Sequence, residues 1–310
     1  MKAGPTTIDR PRGVRLLAPR ELIQVFKDAY KLLKSNDPLL LFSSTAFFTT
    51  FALPPILIIL IDILKLFFRE VTVREKLFRT IEGILGQGAA VDIQTIVDNF
   101  EAQERNTILT ILISLFFYFV ATTLLNSIKQ AIHQLWKIAR NQDKIMPYSL
   151  KERSVGIGMM FIAAALAACS FLTDDALGVF DADQFIVISL QHLISVLIIS
   201  LWFSLVFKFV PEARVSIGVA MAGGTFTGIL FTIGEILLGK FLGHGKMAVI
   251  FGVSSTMALL LLFIFYCSFT LYFGAAVTFE YARTINAPIK PGKYAVEMKG
   301  NIGSRKRTET

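Results

Sequence analysis

The stretch LLLFSSTAFFTTFALPPILIILI, residues 39–61, carries no charged side chain over 23 consecutive positions. That exceeds the roughly 20 residues an α-helix needs to cross about 30 Å of hydrocarbon. Five further uncharged stretches follow it: Thr107–Ile128, Ser154–Thr173, Gln184–Phe207, Val215–Gly234 and Met247–Phe279. Only lipid solvates that much apolar helix, so the pattern predicts an all-α, polytopic membrane helix bundle with six transmembrane helices. Composition agrees, because 54% hydrophobic residues, 28 Phe and a mean hydropathy of +0.61 exceed what a 310-residue soluble domain hides in one core.

The polar opening of about 38 residues predicts no cleavable leader, leaving the first span as the insertion signal. Orientation follows from the placement of Lys and Arg, which concentrate in cytoplasmic loops. Residues 1–38 carry 8, residues 129–153 carry 6, the fourth turn carries Lys208 and Arg214, and residues 282–310 carry 7. On the other side, residues 69–106 carry 5, residues 174–183 none and residues 240–248 only 2. Both termini are therefore expected in the cytoplasm, with the acidic turn Thr173–Asp183 outside. The net charge of +8 sits beside the spans, which points to membrane lipids as partners and not to nucleic acid.

Three regions follow from this layout: a cytoplasmic N-terminal segment, 1–38, a six-span domain, 39–283, and a basic tail, 284–310, expected to be disordered. Within the first, Leu22, Val25, Phe26, Ala29, Tyr30 and Leu33 recur at helical spacing opposite Lys27, Asp28, Lys31 and Lys34, as in an amphipathic helix on the membrane face. Within the second, the extracytoplasmic loop 69–106 repeats Leu77, Ile81, Ile84 and Leu85, then Ile93, Ile96, Val97 and Phe100, around Gly86 and Gly88. A helical hairpin capping the bundle is expected there.

Several residues inside the spans carry chemistry. Pro54 and Pro55 remove two adjacent backbone donors, so the first span is expected to kink or break, as transporter helices do at binding sites. In the fifth span Gly224, Gly228 and Glu235 share one helical face, which directs the acid to where helices approach closely. Lys240 is a candidate partner for it. His192, with Gln191 and Ser195, is a candidate proton relay. Packing alone also explains each of these. At the cytoplasmic ends Lys208, Glu212, Arg214 and Glu280 form a charged rim, for which internal pairing, headgroup binding and an inward vestibule all remain open.

Enzyme constellations are missing from the sequence. His133, His192 and His244 are far apart, Cys169 and Cys267 lie mid-span, and no HExxH, CxxC, GxSxG or GxxxxGK[ST] occurs. The sequence thus predicts neither an enzyme nor a metal or other cofactor.

Read together, four places resemble the YihY/BrkB family of bacterial inner-membrane proteins, once labelled ribonuclease BN. They are Ala46-Phe47-Phe48 with Phe51-Ala52-Leu53-Pro54-Pro55, then Ala131-Ile132-His133-Gln134-Leu135-Trp136, which is similar to an ALNRIW-type segment with His133 at an Asn position. Phe207-Lys208-Phe209-Val210-Pro211 and the pair Phe251-Gly252-Val253-Ser254 and Gly274-Ala275-Ala276 complete the likeness, which covers roughly residues 25–285. Ala276 stands where the family often has Glu, with Glu280 one turn on. The resemblance implies a bacterial inner-membrane envelope protein, linked in some members to serum resistance and in others to lipid export. His133 and Trp136 join the cytoplasmic rim candidates on this ground.

Three functions are compatible with these residues. The favoured expectation is a transporter or flippase-like protein for a lipid or amphiphile, with a cavity between spans one, five and six alternately exposed and Glu235 as its interior acid. A non-catalytic scaffold for envelope assembly is the alternative, and a ribonuclease the third.

Overall fold

The computed structural model describes residues 17–102, 107–140, 145–178, 184–242, 255–292 and 295–297. In chain order the helices are α1 (Pro19–Lys34), α2 (Pro38–Leu64), α3 (Glu70–Leu85), α4 (Gln87–Ala102), α5 (Thr107–Leu135), α6 (Ile145–Gly178), α7 (Gln184–Phe209), α8 (Ile217–Leu242) and α9 (Ser255–Thr284). Four short strands accompany them: β1 (Ile138–Arg140), β2 (Ala213–Arg214), β3 (Lys290–Pro291) and β4 (Ala295–Glu297). The architecture is an all-α membrane bundle. Among the described residues, α2, α6, α7, α8 and α9 each contain a stretch long and apolar enough to cross a bilayer. The remaining expected span, Thr107–Ile128, lies within α5, which is helical throughout.

Lipid tails are as apolar as Leu, so close packing and interhelical hydrogen bonds hold such a bundle together. The tightest seam joins α7 to α8. A Cβ built on Gly228 would come within 2.8 Å of the Ser200 backbone, and one on Gly224 within 2.6 Å of the Ser204 Cα. Real Cβ atoms do not approach so closely, so only glycine admits this spacing. On the opposite side of α8, Gly234 receives the Tyr266 ring of α9, whose hydroxyl donates to the Leu230 carbonyl at 2.6 Å. Gly223 likewise accommodates Thr278, and Gly274 accommodates Thr227. α2 joins α9 through a 2.5 Å hydrogen bond between the buried hydroxyls of Thr45 and Tyr272.

The bundle has two distinct ends. At one, the N-terminal amphipathic helix forms as expected, and Glu21 accepts the Ala18 N–H at 2.9 Å at its start. Its Val25, Ala29 and Leu33 are buried in a cluster with Trp136, Phe207 and Tyr272, while Ile23 and Tyr30 stay exposed. α1 is thus built into the bundle, and Phe26 meets the Phe226 ring of α8 at 5.0 Å.

The tail departs from expectation at this same end. Residues 284–310 read as disordered, yet β3 pairs antiparallel with β2, and β4 with β1. The Gly292 N–H donates to the Glu212 carbonyl at 2.9 Å, and Ile285 and Ala295 are buried. Pro288, Pro291 and Gly292 suggested an unstructured run, but strand pairing holds Lys290–Pro291 and Ala295–Glu297. Residues 298–310 lie outside the described ones.

At the other end, α3 and α4 form the expected hairpin, turning at Gly86 with φ +86°. That backbone region is strained for any residue with a Cβ. Val73, Phe78, Leu85, Ala89, Ile93 and Val97 bury against Leu57, Ile61 and Leu64 of α2 and Leu260 and Ile264 of α9. Arg74 joins the two hairpin helices through Asp98 at 2.8 Å, and Lys65 bridges Asp62 and Glu70 at 3.3 and 3.4 Å.

Two further expectations change. α2 runs as one helix through Pro54 and Pro55, so of the expected kink or break the break does not occur. Ala52 and Pro55 are buried, and Ala52 packs with Val120 and Leu124 of α5, which holds the helical course despite the two lost donors. α6 continues to Gly178, so the acidic segment begins inside a helix and not as a turn at Thr173. The side chain of Asp174 and residues 179–183 lie outside the described residues.

The glycine seam predicts that Gly224→Ala lowers the apparent thermal stability of the detergent-solubilised protein by about 1–3 kcal/mol, the usual cost of overpacking. Gly83→Ala, on α3 with nothing within 4 Å of the new Cβ, is expected to be neutral or to stabilise by roughly 0.5–1 kcal/mol. Trp136→Phe removes the indole N–H that donates to the buried Ala275 carbonyl at 2.9 Å, and should cost about 1–3 kcal/mol in the same assay.

Candidate functional site: a polar cavity beneath the hairpin

Where α7 and α8 part beyond their glycine seam, a cavity of about 990 Å³ opens. This is the upper end of the range for ligand sites, about 300–1,000 Å³. Its walls come from four helices. α8 supplies Thr232, Glu235, Ile236 and Gly239, and α7 supplies Gln191, His192 and Ser195. α6 supplies Ser170, Phe171 and Asp175, and α3 supplies Lys76, Arg79, Thr80 and Gly83.

The local sequence explains each wall. On α8, the face that carries Gly224 and Gly228 against α7 continues through Thr232 and Glu235, so the acid follows the seam into the opening. On α7, Gln191, His192 and Ser195 fall one turn apart on the facing side. On α3, Lys76, Arg79, Thr80 and Gly83 share a face at i, i+3 and i+4 spacing, opposite the face that binds α2. Gly239 lies close to α3, where a Cβ would stand 3.4 Å from the Gly83 carbonyl oxygen.

Charge is distributed unevenly around the cavity. Lys76 is the anchor of the α3 wall: its ammonium donates to Asp175 at 2.5 Å and to the Phe171 carbonyl at 3.0 Å, and lies 5.4 Å from the centre of the Phe171 ring. Arg79 pairs with Glu75 at 2.6 Å on the exposed outer side. Glu235 is half-buried and lies within electrostatic reach of His192 on α7 and of Cys267 on α9. His192 follows the start of α7, Gln184, by eight residues, about 12 Å at 1.5 Å per residue, and Glu235 precedes Lys240, the next charged residue of α8, by five, about 7.5 Å.

The structure thus brings together two residues that the sequence suggested separately, Glu235 and His192, along with Gln191 and Ser195. It does not place Pro54, Pro55, Gly224 or Gly228 in the cavity, since the prolines lie within α2 and the glycines pack against α7. Nor does the cavity lie between spans one, five and six, because α9 closes on both α8 and α2 through Tyr266 and Tyr272. Lys240, the expected partner of Glu235, has its side chain outside the described residues. His244 lies outside them too. Lys76, Arg79, Thr80 and Asp175 were missed; the shared polar face of α3 was the available signal.

The rim candidates gather at the opposite end, as a packed joint. The Glu212 N–H donates to His133 Nε2 at 3.0 Å, and both residues are buried, as is Lys129. The Lys208 ammonium donates to the Val215 carbonyl, and Glu280 accepts from Arg283 at 2.9 and 3.0 Å. Arg214 is exposed and pairs through its backbone with Lys290. Of the rim candidates, Glu280 is thus paired internally with another side-chain charge. Ala276 is fully buried within the packed core. Three resembling segments meet here, since the Trp136 ring lies tilted against Phe207 at 6.5 Å and its N–H donates to the Ala275 carbonyl. Residues 251–254 lie outside the described ones.

Comparison with known proteins bears on the family of the chain. Its residues 29–298 match the family described as Virulence factor BrkB. A UPF0761 membrane protein of Psychromonas ingrahamii is 28% identical over 163 residues, covering 51% of this chain and 54% of the relative. Another from Pseudomonas aeruginosa is 24% identical over 241 residues, covering 74% and 56%. One from Aliivibrio fischeri is 25% identical over 167 residues, covering 52% and 53%. The chain spans about half the length of the curated relatives it matches, and none of these names states an enzymatic activity. No solved structure matches. With its apolar helices, its hairpin cap and a family match over most of its length, the chain is a membrane protein of the BrkB family.

Proposed function

We propose that the chain is a multi-pass inner-membrane protein with both termini cytoplasmic, and that it moves a lipid or other amphiphile in the manner of a flippase. The observation that carries this reading is a polar cavity bordered directly by lipid-facing helix surface. Ile236 belongs to the cavity wall and is exposed, as are Leu172, Leu193 and Leu237 on the same helices. A headgroup entering beside Glu235, His192 and Arg79 leaves its acyl chains against these residues and in the bilayer. Ionisable groups inside a membrane helix are costly, up to several kcal/mol, and their placement toward a protein-lined space is the usual mark of a substrate or ion path.

The topology in this reading needs α5 as a sixth crossing. α5 follows the hairpin at one end and finishes beside Trp136 at the other, and its 29 residues reach about 43 Å at 1.5 Å each. The end that gathers α1, the tail strands and Lys208 is then cytoplasmic, in agreement with the bias of Lys and Arg.

Alkaline phosphatase fused after Glu297 should be inactive, and the same reporter inserted at Gly88 should be active. The reverse pattern would overturn the assigned orientation. In proteoliposomes, the protein should accelerate loss of fluorescence from headgroup-labelled lipids exposed to an impermeant reductant. Glu235→Gln should reduce that rate about tenfold, equivalent to 1.4 kcal/mol of barrier. No acceleration with any headgroup, together with a stably copurifying envelope protein, would instead support the scaffold reading.

A further inference from the structure

Glu235 and His192 are the two titratable side chains of the spanning helices that line the cavity from α8 and α7, and they lie within electrostatic reach of each other. The groups around them come from every neighbouring element. α3 contributes Lys76 and Arg79, α6 contributes Asp175, and α9 contributes Cys267, beside Tyr266 whose hydroxyl is committed to Leu230. Lys76 is committed to Asp175 and Phe171, and Arg79 to Glu75. Among the described residues, His192 is the basic group within electrostatic reach of Glu235.

A carboxyl–imidazole pair is neutral overall when it holds one proton less than full, whether as carboxylate with imidazolium or as carboxylic acid with neutral imidazole. Removing that shared proton leaves a net negative charge inside the apolar zone, and the titration belongs to the pair as a unit. Both groups line the cavity at the hairpin end of the bundle, so the proton exchanges with solution on that side. Inward of the pair, the α7–α8 seam continues through Thr232, Ser200 and Ser204. Ser200 is buried, and its hydroxyl has no hydrogen-bond partner among the described residues.

We infer that Glu235 and His192 together form a proton-binding site open to the extracytoplasmic solution, and that its occupancy couples the proton gradient to movement of the headgroup. The coupling and the side on which the site opens rest on the reading above; the proton site itself does not.

The test is a difference-infrared titration of the full chain in proteoliposomes between neutral and acid pH, with protons as the only ligand. Wild type should show a carboxylic-acid C=O band on acidification that is missing in Glu235→Gln. His192→Gln should move the midpoint of that band by about one pH unit, a tenfold change in proton affinity. Asp175→Asn should retain the band. Should Glu235→Gln not fold, Glu235→Asp must keep the band at a shifted frequency. Identical spectra for wild type and Glu235→Gln, or an unmoved midpoint in His192→Gln, would overturn the site. A titrating band without any lipid movement would refute the transport reading and leave the proton site standing.

Discussion

The close approach of α7 and α8 governs the rest of this molecule. Gly224 and Gly228 have no Cβ, so the helices meet with the Ser204 and Ser200 backbones where a side chain would otherwise be. In hydrocarbon such contact replaces the hydrophobic drive that is missing between apolar helices. The seam also fixes the register in which His192 and Glu235 face each other. Beyond the seam the same two helices supply walls of the cavity, through Gln191, His192 and Ser195 on α7 and Thr232 and Glu235 on α8.

The two ends are built by different means. At one, α1, β1 to β4 and the tail as far as Glu297 knit the ends of α5, α7 and α9 together, with Trp136, His133 and Glu212 held in buried hydrogen bonds. At the other, the hairpin buries Val73, Phe78, Leu85, Ile93 and Val97 against α2 and α9, and its Lys76 pairs with Asp175 of α6 at the cavity wall.

Much of this was legible in the sequence because membrane burial leaves long, unmistakable signals. The apolar runs, the helical spacing of α1 and the repeat around Gly86 each depend only on residues near one another in the chain. Glu235 and His192 stood out for the same reason, as polar groups in apolar surroundings. What escaped depends on which helices become neighbours. Lys76 and Arg79 read as ordinary loop charges until α3 folds onto α6 and α8. Pro54 and Pro55 suggested a break, but the surrounding packing carries the helix through. The tail looked unstructured by composition, and only the distant strands at Ile138 and Ala213 give it partners.

The most direct measurement is the accessibility of single cysteines in intact cells to a charged, membrane-impermeant maleimide, after Cys169 and Cys267 are replaced by Ala. Cysteines at Ser195 and Thr232, on the two cavity walls, should be modified from outside, while one at the buried Ser204 in the glycine seam should not. Failure of Ser195 and Thr232 to react, or reaction only in inverted vesicles, would contradict a cavity that opens on the far side between α7 and α8.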